Sequence, residues 1–174
     1  MNTVLIRRET PADIDAIRTV TEAAFGPRYA PDPAPEPGLV DQLRADTGWL
    51  PALSLVAEVD GEIVGHVVCT RGRVGDTPAL GLGPLSVRPD HQRAGVGSAL
   101  VHAVLGAADA LGEPLVVLLG DPGYYRRFGF GPAQELGVLA PAAEWGIHFQ
   151  VRPLTGYDPA VRGVFTYAEP FGRL

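Results

Sequence analysis

A chain of 174 residues, 46% hydrophobic and 20% charged, has the make-up of a soluble globule with one substantial core, and its length favours a single domain spanning residues 1–174. The net charge of −6 and a pI near 5.1 argue against broad binding to nucleic acid or an anionic membrane and suit a cationic amine substrate. Cys69 is the single cysteine, so no intramolecular disulfide or cysteine metal cluster can form, and His91, His102 and His148 are too dispersed to suggest a metal site.

The N-terminal residues lack the basic-then-apolar order of a signal peptide, and no apolar run approaches membrane-spanning length, so a cytoplasmic protein is expected. Val4 to Arg8 reads as a strand. Thr10-Pro11-Ala12-Asp13 is a helix start with a threonine cap, an early proline and an acid near the dipole, continued by Ile14, Ile17, Val20, Thr21 and Ala24. Gly26 to Gly38 contains Pro27, Pro31, Pro33, Pro35 and Pro37, too many fixed φ angles for helix or central strand, so a connector is expected there. A second helix is expected over Leu39 to Ala45. Leu53 to Val59 and Glu62 to Arg71 flank Asp60-Gly61, a strong hairpin signal. Cys69 lies in the apolar part of this hairpin, where a buried structural thiol is expected.

The next strand changes phase. Leu80 and Leu82 take even positions, Leu85 and Val87 odd ones, with Gly83-Pro84 between them, so one extra residue must be absorbed in a bulge. The chain then turns through residues 88–95 into a helix whose apolar face is Val96, Leu100, Val104, Ala108 and Leu111, stopped by Gly112. The first-turn amides, Arg93 to Ser98, have no carbonyls four residues back and point outward with the positive end of the dipole, which makes an anion site. Gly95 and Gly97 lack Cβ and allow close approach to the main chain, and Arg93 adds charge.

Three phosphate-binding patterns compete for this turn. The P-loop needs a lysine, and the chain has none. The dinucleotide fingerprint needs a third glycine where Leu100 stands. The third, Gln-x-x-Gly-x-Gly after Val-x-Pro, is matched by Gln92-Arg93-Ala94-Gly95-Val96-Gly97 behind Val87-Arg88-Pro89, and resembles the acetyl-coenzyme A loop of the GNAT superfamily of N-acetyltransferases. Downstream, Leu115 to Leu119 reads as a buried strand set parallel to the one ending near Val87 by a right-handed crossover. Tyr125-x-x-x-Gly129-Phe130 is similar to the family's Tyr-x-x-x-Gly-Phe ending. The wording Leu82-Gly-Pro-Leu-Ser-Val87 with Gly120-Asp-Pro-x-Tyr-Tyr125 resembles the YhbS-like subgroup. The resemblance covers residues 4–130. Leu136 to Leu139, Ile147 to Leu154 and Gly163 to Ala168 read as strands that complete the sheet and one wall of the acceptor pocket.

The resemblance implies an α/β GNAT fold, a mixed, mostly antiparallel sheet with a bulged, splayed central strand flanked by helices. It implies transfer of acetyl from acetyl-CoA to a primary amine of a small molecule or a peptide N-terminus, with no metal. The carrier would lie along Leu85, Ser86 and Val87 and over the turn from Gln92 to Ser98. A main-chain amide of Leu85 or Val87 would meet the oxyanion, and Tyr125, or Tyr124 beside it, would serve the leaving sulfur. A thiol near pKa 8.5 and a phenol near 10 make full proton transfer uphill by roughly 2 kcal/mol, so a hydrogen bond is expected. The region from the Gly26–Gly38 connector into the helix that follows would lie over the acceptor, making Tyr29, Asp32 and Glu36 candidates for substrate contact. No acid lies between Leu80 and Val87 to act as base. His66 could titrate near neutrality in that role or be a structural histidine; Asp121 could be a base or a helix cap; an amine arriving neutral would need neither. A non-catalytic acyl-CoA-binding module and a dinucleotide-binding oxidoreductase are the rival functions, and a homodimer stays open.

Overall fold

The structure, a computed structural model, describes residues 3–174. In chain order the first half carries β1 (Val4–Arg8), α1 (Ile14–Tyr29), α2 (Glu36–Arg44), β2 (Ser54–Val59), β3 (Glu62–Val74) and β4 (Thr77–Val87). The second half carries α3 (Val96–Ala110), β5 (Leu115–Leu119), the short α4 (Pro122–Tyr125), β6 (Gly131–Pro132), β7 (Val138–Leu139), β8 (Phe149–Pro153) and β9 (Gly163–Thr166). β1 to β4 form an antiparallel meander. Asp60 and Gly61 close its β2–β3 turn, both left-handed with φ of 51° and 80°, as a two-residue hairpin requires. The crossover through α3 places β5 parallel to β4, and β8 then pairs antiparallel with β5, and β6 with β8. β9 returns to the far end of β3, where Arg73 opposes Thr166 and Val74 opposes Phe165, and carries β7 beside it.

The phase change in β4 is a bulge. Leu85 opposes Val67 and Leu82 opposes Cys69, so β4 uses one residue more than β3 at Gly83-Pro84. On one face, Leu100, Val101 and Val104 of α3 pack fully buried against Leu55, Val67 and Leu80. On the other, Ile17 of α1 and Val40 of α2 cover Val56. The C-terminal strands form a further core around Phe149 and Phe165. No helix of the described residues is long and apolar enough to cross a membrane.

The expected connector over 26–38 is a correction. α1 continues through Gly26-Pro27 to Tyr29, and α2 starts at Glu36 with Pro37 in its first turn. Pro27 gives up one helical hydrogen bond, but the residue before it is glycine, with no Cβ to meet the proline ring. Pro37 sits where a helix needs no amide. Only residues 30–35 remain a connector. β6 was also unforeseen; a two-residue strand ending in proline has no periodicity to detect.

A chain of polar groups is enclosed between the sheet and α2. Arg44 donates to Glu9 at 3.0 Å, Ser54 gives its hydroxyl hydrogen to Glu9, and Ser54 Oγ lies 2.8 Å from His66 Nε2. Since the serine proton is committed to the carboxylate, Nε2 must be the protonated nitrogen of His66, and its Nδ1 has no partner among the described residues. Burial holds the His66 imidazole below its ordinary value, against the pull of Glu9. Burial alone would raise Glu9, but hydrogen bonds to His66, Arg44 and Ser54 prevail and hold it at about 2. Both shifts act in one direction. Below 6.5 the unfolded chain takes up a proton on His66 that the fold resists, and between 4.5 and about 2 the same holds for Glu9. The urea midpoint is therefore expected to fall from pH 7.5 to pH 5.5 and again towards pH 3. Glu9→Gln should weaken the lower step; a midpoint flat across this range would refute the assignment.

Candidate active site

β4 and β5 are hydrogen-bonded only at Leu80↔Val116 and Gly81↔Val117, whereas β4 stays beside β3 as far as Val87. Antiparallel alternation decides which groups this leaves unpaired. The Arg88 amide donates to Val64 O at 2.8 Å, so the polar groups of residues 86 and 88 face β3 and those of Leu85 and Val87 face the opposite way, into the opening beside β5. The position of Gln92 agrees, because its side-chain amide reaches Val87 O from that side at 3.0 Å.

The turn before α3 closes one end of this opening. Left-handed backbone at Arg93, φ 60°, and at Gly95, φ 87°, curls the chain so that α3 begins at Val96 with its first-turn amides unpaired. A hollow of about 730 Å³ lies there, lined by Leu85, Val87, Gly95, Gly97 and Ser98. Arg93, Arg28 of α1 and Arg127 also line it. Arg28 lies over the Phe25 ring and Arg127 over Tyr124, at 5.3 and 4.8 Å, and among the described residues no carboxylate pairs with any of the three. A Cβ at Gly95 would meet nothing within 4 Å, and one at Gly97 would come 2.9 Å from the Tyr124 hydroxyl, so bare backbone keeps this mouth open. Three guanidiniums and a helix N-terminus around bare main chain, in a chain of net charge −6, suit a polyanion such as a diphosphate.

The acetyltransferase (GNAT) domain family matches residues 5–133 of the sequence. The chain belongs to the GNAT family of acetyltransferases. It is similar to the uncharacterized N-acetyltransferase YjhQ of Escherichia coli strain K12, 34% identical over 167 residues that cover 91% of this chain and 89% of YjhQ. Among solved structures it is similar to a GNAT acetyltransferase from Brucella melitensis in complex with acetyl-CoA, at 37% identity, TM-score 0.79 and coverage of 98% of this chain and 99% of that one. It also resembles Escherichia coli YhbS in complex with CoA, at 31% identity, TM-score 0.87 and coverage of 100% and 94%. The mixed, mostly antiparallel sheet, with β4 and β5 a splayed parallel pair, is the GNAT fold.

In this GNAT chain a second, larger cleft of about 1380 Å³ adjoins the hollow; Leu85, Phe25, Arg28 and Tyr124 line both. Tyr125 lines the larger one. Burial pushes its phenol up to about 12, with Tyr124 acting in the same sense and Arg28 against. Ser86 and Val96 turn their side chains into the protein, at 1% and 2% exposure, and have only main chain to offer. Ala94 is exposed beyond the hollow's lining.

Glu36 lines the larger cleft. Its Oε1 accepts from the Tyr29 hydroxyl at 2.9 Å, which raises the phenol of Tyr29, and its buried Oε2 has no partner among the described residues. Tyr29 stands behind Glu36 instead of lining the cleft, and Asp32 is exposed outside it. His66 as base is a correction: the ring is fully buried, lines neither cavity, and belongs to the Glu9 and Ser54 network. Asp121 lines the larger cleft while capping α4, accepting from the Gly123 amide at 2.9 Å.

Sequence reading missed Phe25 and Arg28 because they precede and follow Gly26-Pro27, where a connector was expected. Arg127 lay within the Tyr125 to Phe130 motif, and its charge two residues before Gly129 was an available signal. Trp145, Tyr167 and Phe171, which line the larger cleft, had none, because long-range pairings bring them there, β8 with β5 for Trp145 and β9 with β3 for Tyr167 and Phe171.

Proposed function

We propose that this acetyltransferase moves the acetyl group of acetyl-CoA to a primary amine of a small molecule or peptide N-terminus, by direct attack on the thioester. The observation that carries the reading is the opening of the Leu85 and Val87 amides onto the same hollow as the arginine-ringed start of α3. The diphosphate of the carrier takes the first-turn amides of α3 with Arg93 and Arg127, and its thioester arm lies along Leu85 to Val87. The acceptor enters through the larger cleft beside Glu36. The chain works as one domain, with its C-terminal strands forming the acceptor wall, and its buried, free thiol at Cys69 suits a cytoplasmic enzyme.

The acceptor nitrogen loses its ammonium proton to water in the open cleft, and its lone pair attacks the thioester carbonyl. The C–N bond forms, and the oxyanion is met by the amide of Leu85 or Val87. Collapse breaks the C–S bond, the electron pair stays on sulfur, and the nitrogen's remaining surplus proton goes to water. Tyr125, with its phenol at about 12, would lose about 5 kcal/mol on full proton transfer to a thiolate whose thiol has a pKa near 8.5. It therefore donates a hydrogen bond and keeps its proton, and the thiolate is protonated from solvent. The products are an amide and free CoA.

Gly95→Glu places a carboxylate in the phosphate corner at a left-handed position, so it should melt a few degrees lower and bind CoA about 100-fold more weakly or worse. Calorimetric titration checks this; a folded variant that binds CoA as wild type does would remove the assigned corner. Tyr125→Phe should lower kcat about 100-fold with little change in KM for acetyl-CoA. In thiol-release assays the wild-type rate should climb with pH as the amine deprotonates and show no downturn from Tyr125 below pH ~10.

A further inference from the structure

The larger cleft has a chemical character that acetyl transfer alone does not require. More than half of the chain's aromatic side chains line it. Trp145, Tyr167 and Phe171 form a row, with ring centroids 6.2 Å apart for the first pair and 4.9 Å for the second. Two of the acids that line the cleft are already engaged, Glu169 with Arg173 and Asp121 as the cap of α4. Glu36 is different. One oxygen holds the Tyr29 hydroxyl, the other is buried with no partner, and among the described residues no arginine pairs with it. A carboxylate oxygen enclosed without a donor beside a cavity is an unmet acceptor. The lining cation, Arg28, sits on the side shared with the phosphate corner.

We propose that Glu36 Oε2 receives the ammonium group of the acceptor, before its proton passes to water and the neutral amine attacks, and that the aromatic row takes its body, so that the acceptor class is a primary amine carried on an aromatic, apolar frame. Tyr29 is a positioning residue that fixes the carboxylate from behind. The rings favour such a ligand twice, by apolar contact and by the attraction of their faces for a cation. An anionic ligand meets Glu36 unfavourably. This assignment rests on the acetyl-transfer reading, which makes the larger cleft the acceptor side.

The test uses 2-phenylethylamine, ethylamine and 3-phenylpropionate as probes, titrated calorimetrically into the intact protein with and without saturating CoA. We expect 2-phenylethylamine to bind at least about tenfold more tightly than either of the others, and Glu36→Gln, an isosteric change, to erase most of that advantage over 3-phenylpropionate. Equal affinity for the amine and the carboxylate in the wild type, or an undiminished preference in Glu36→Gln, overturns the role of Glu36. Equal affinity for ethylamine and 2-phenylethylamine overturns the role of the rings. Absence of amine binding overturns both. The comparison within the wild type decides the matter even if the variant does not fold. Amine binding is read without turnover, so a protein that takes up CoA but does not discriminate among the probes contradicts only the acceptor assignment, whereas one that fails to bind CoA contradicts the enzymatic reading itself.

Discussion

A strand inside a sheet has two rows of hydrogen-bonding groups, and β4 leaves one of them unpaired. Beyond Gly81 its partner β5 diverges, while the opposite row stays engaged with β3 to Val87. Every other part of the site is arranged around that unpaired row. The extra residue at Gly83-Pro84 sets the phase in which Leu85 and Val87 present their amides to the opening. α3, reached from the end of β4 through the curled turn of residues 88–95, aims its first turn at one end of the same space, and α4, entered directly from β5, brings Tyr124 and Tyr125 to the other side. An unpaired row buried in apolar surroundings would be costly, so this architecture favours a ligand that brings its own hydrogen-bonding groups.

Charge is sorted along the opening. The chain is acidic overall, yet Arg28, Arg93 and Arg127 gather at the corner beside α3, and Glu36, Asp121 and Glu169 line the larger cleft. Such a gradient would draw an anion towards one end and a cation towards the other before any close contact forms. The polar chain from Arg44 to His66 lies outside this gradient. It joins α2 to the sheet and holds the helix that carries Glu36 at its start.

The donor half of the molecule was legible because its signals are local. The slip in phase between Leu82 and Leu85, the glycine pair at Gly95 and Gly97, and the spacing from Tyr125 to Phe130 each lie within a few residues and each has one economical backbone solution. The acceptor half was not. Glu36 and Tyr29 were named from a resemblance, while the helices that carry them were hidden by prolines whose effect depends on context: Pro27 follows a glycine and Pro37 falls in a first turn. The aromatic wall depends on contacts between residues nearly a hundred positions apart, as in the pairing of Arg73 with Thr166, and no periodicity reports such contacts. His66 shows the same limit in reverse. Its strand was evident, but the acid that fixes its protonation, Glu9, comes from beyond the end of β1.

β9 is fastened to β3 by only two residue pairs, and Trp145, Tyr167 and Phe171 all lie beyond residue 133, where the family match ends. β8 holds the same C-terminal stretch to β5 by five pairs, so the row of rings is fixed to the sheet by strands that follow the family's matched segment. Changes of ring size at Trp145, Tyr167 or Phe171 would reshape the larger cleft while leaving the start of α3 and the opening beside β4 as they are. The segment that defines the family and the stretch that brings this row to the larger cleft are therefore consecutive along the chain and interleaved in space.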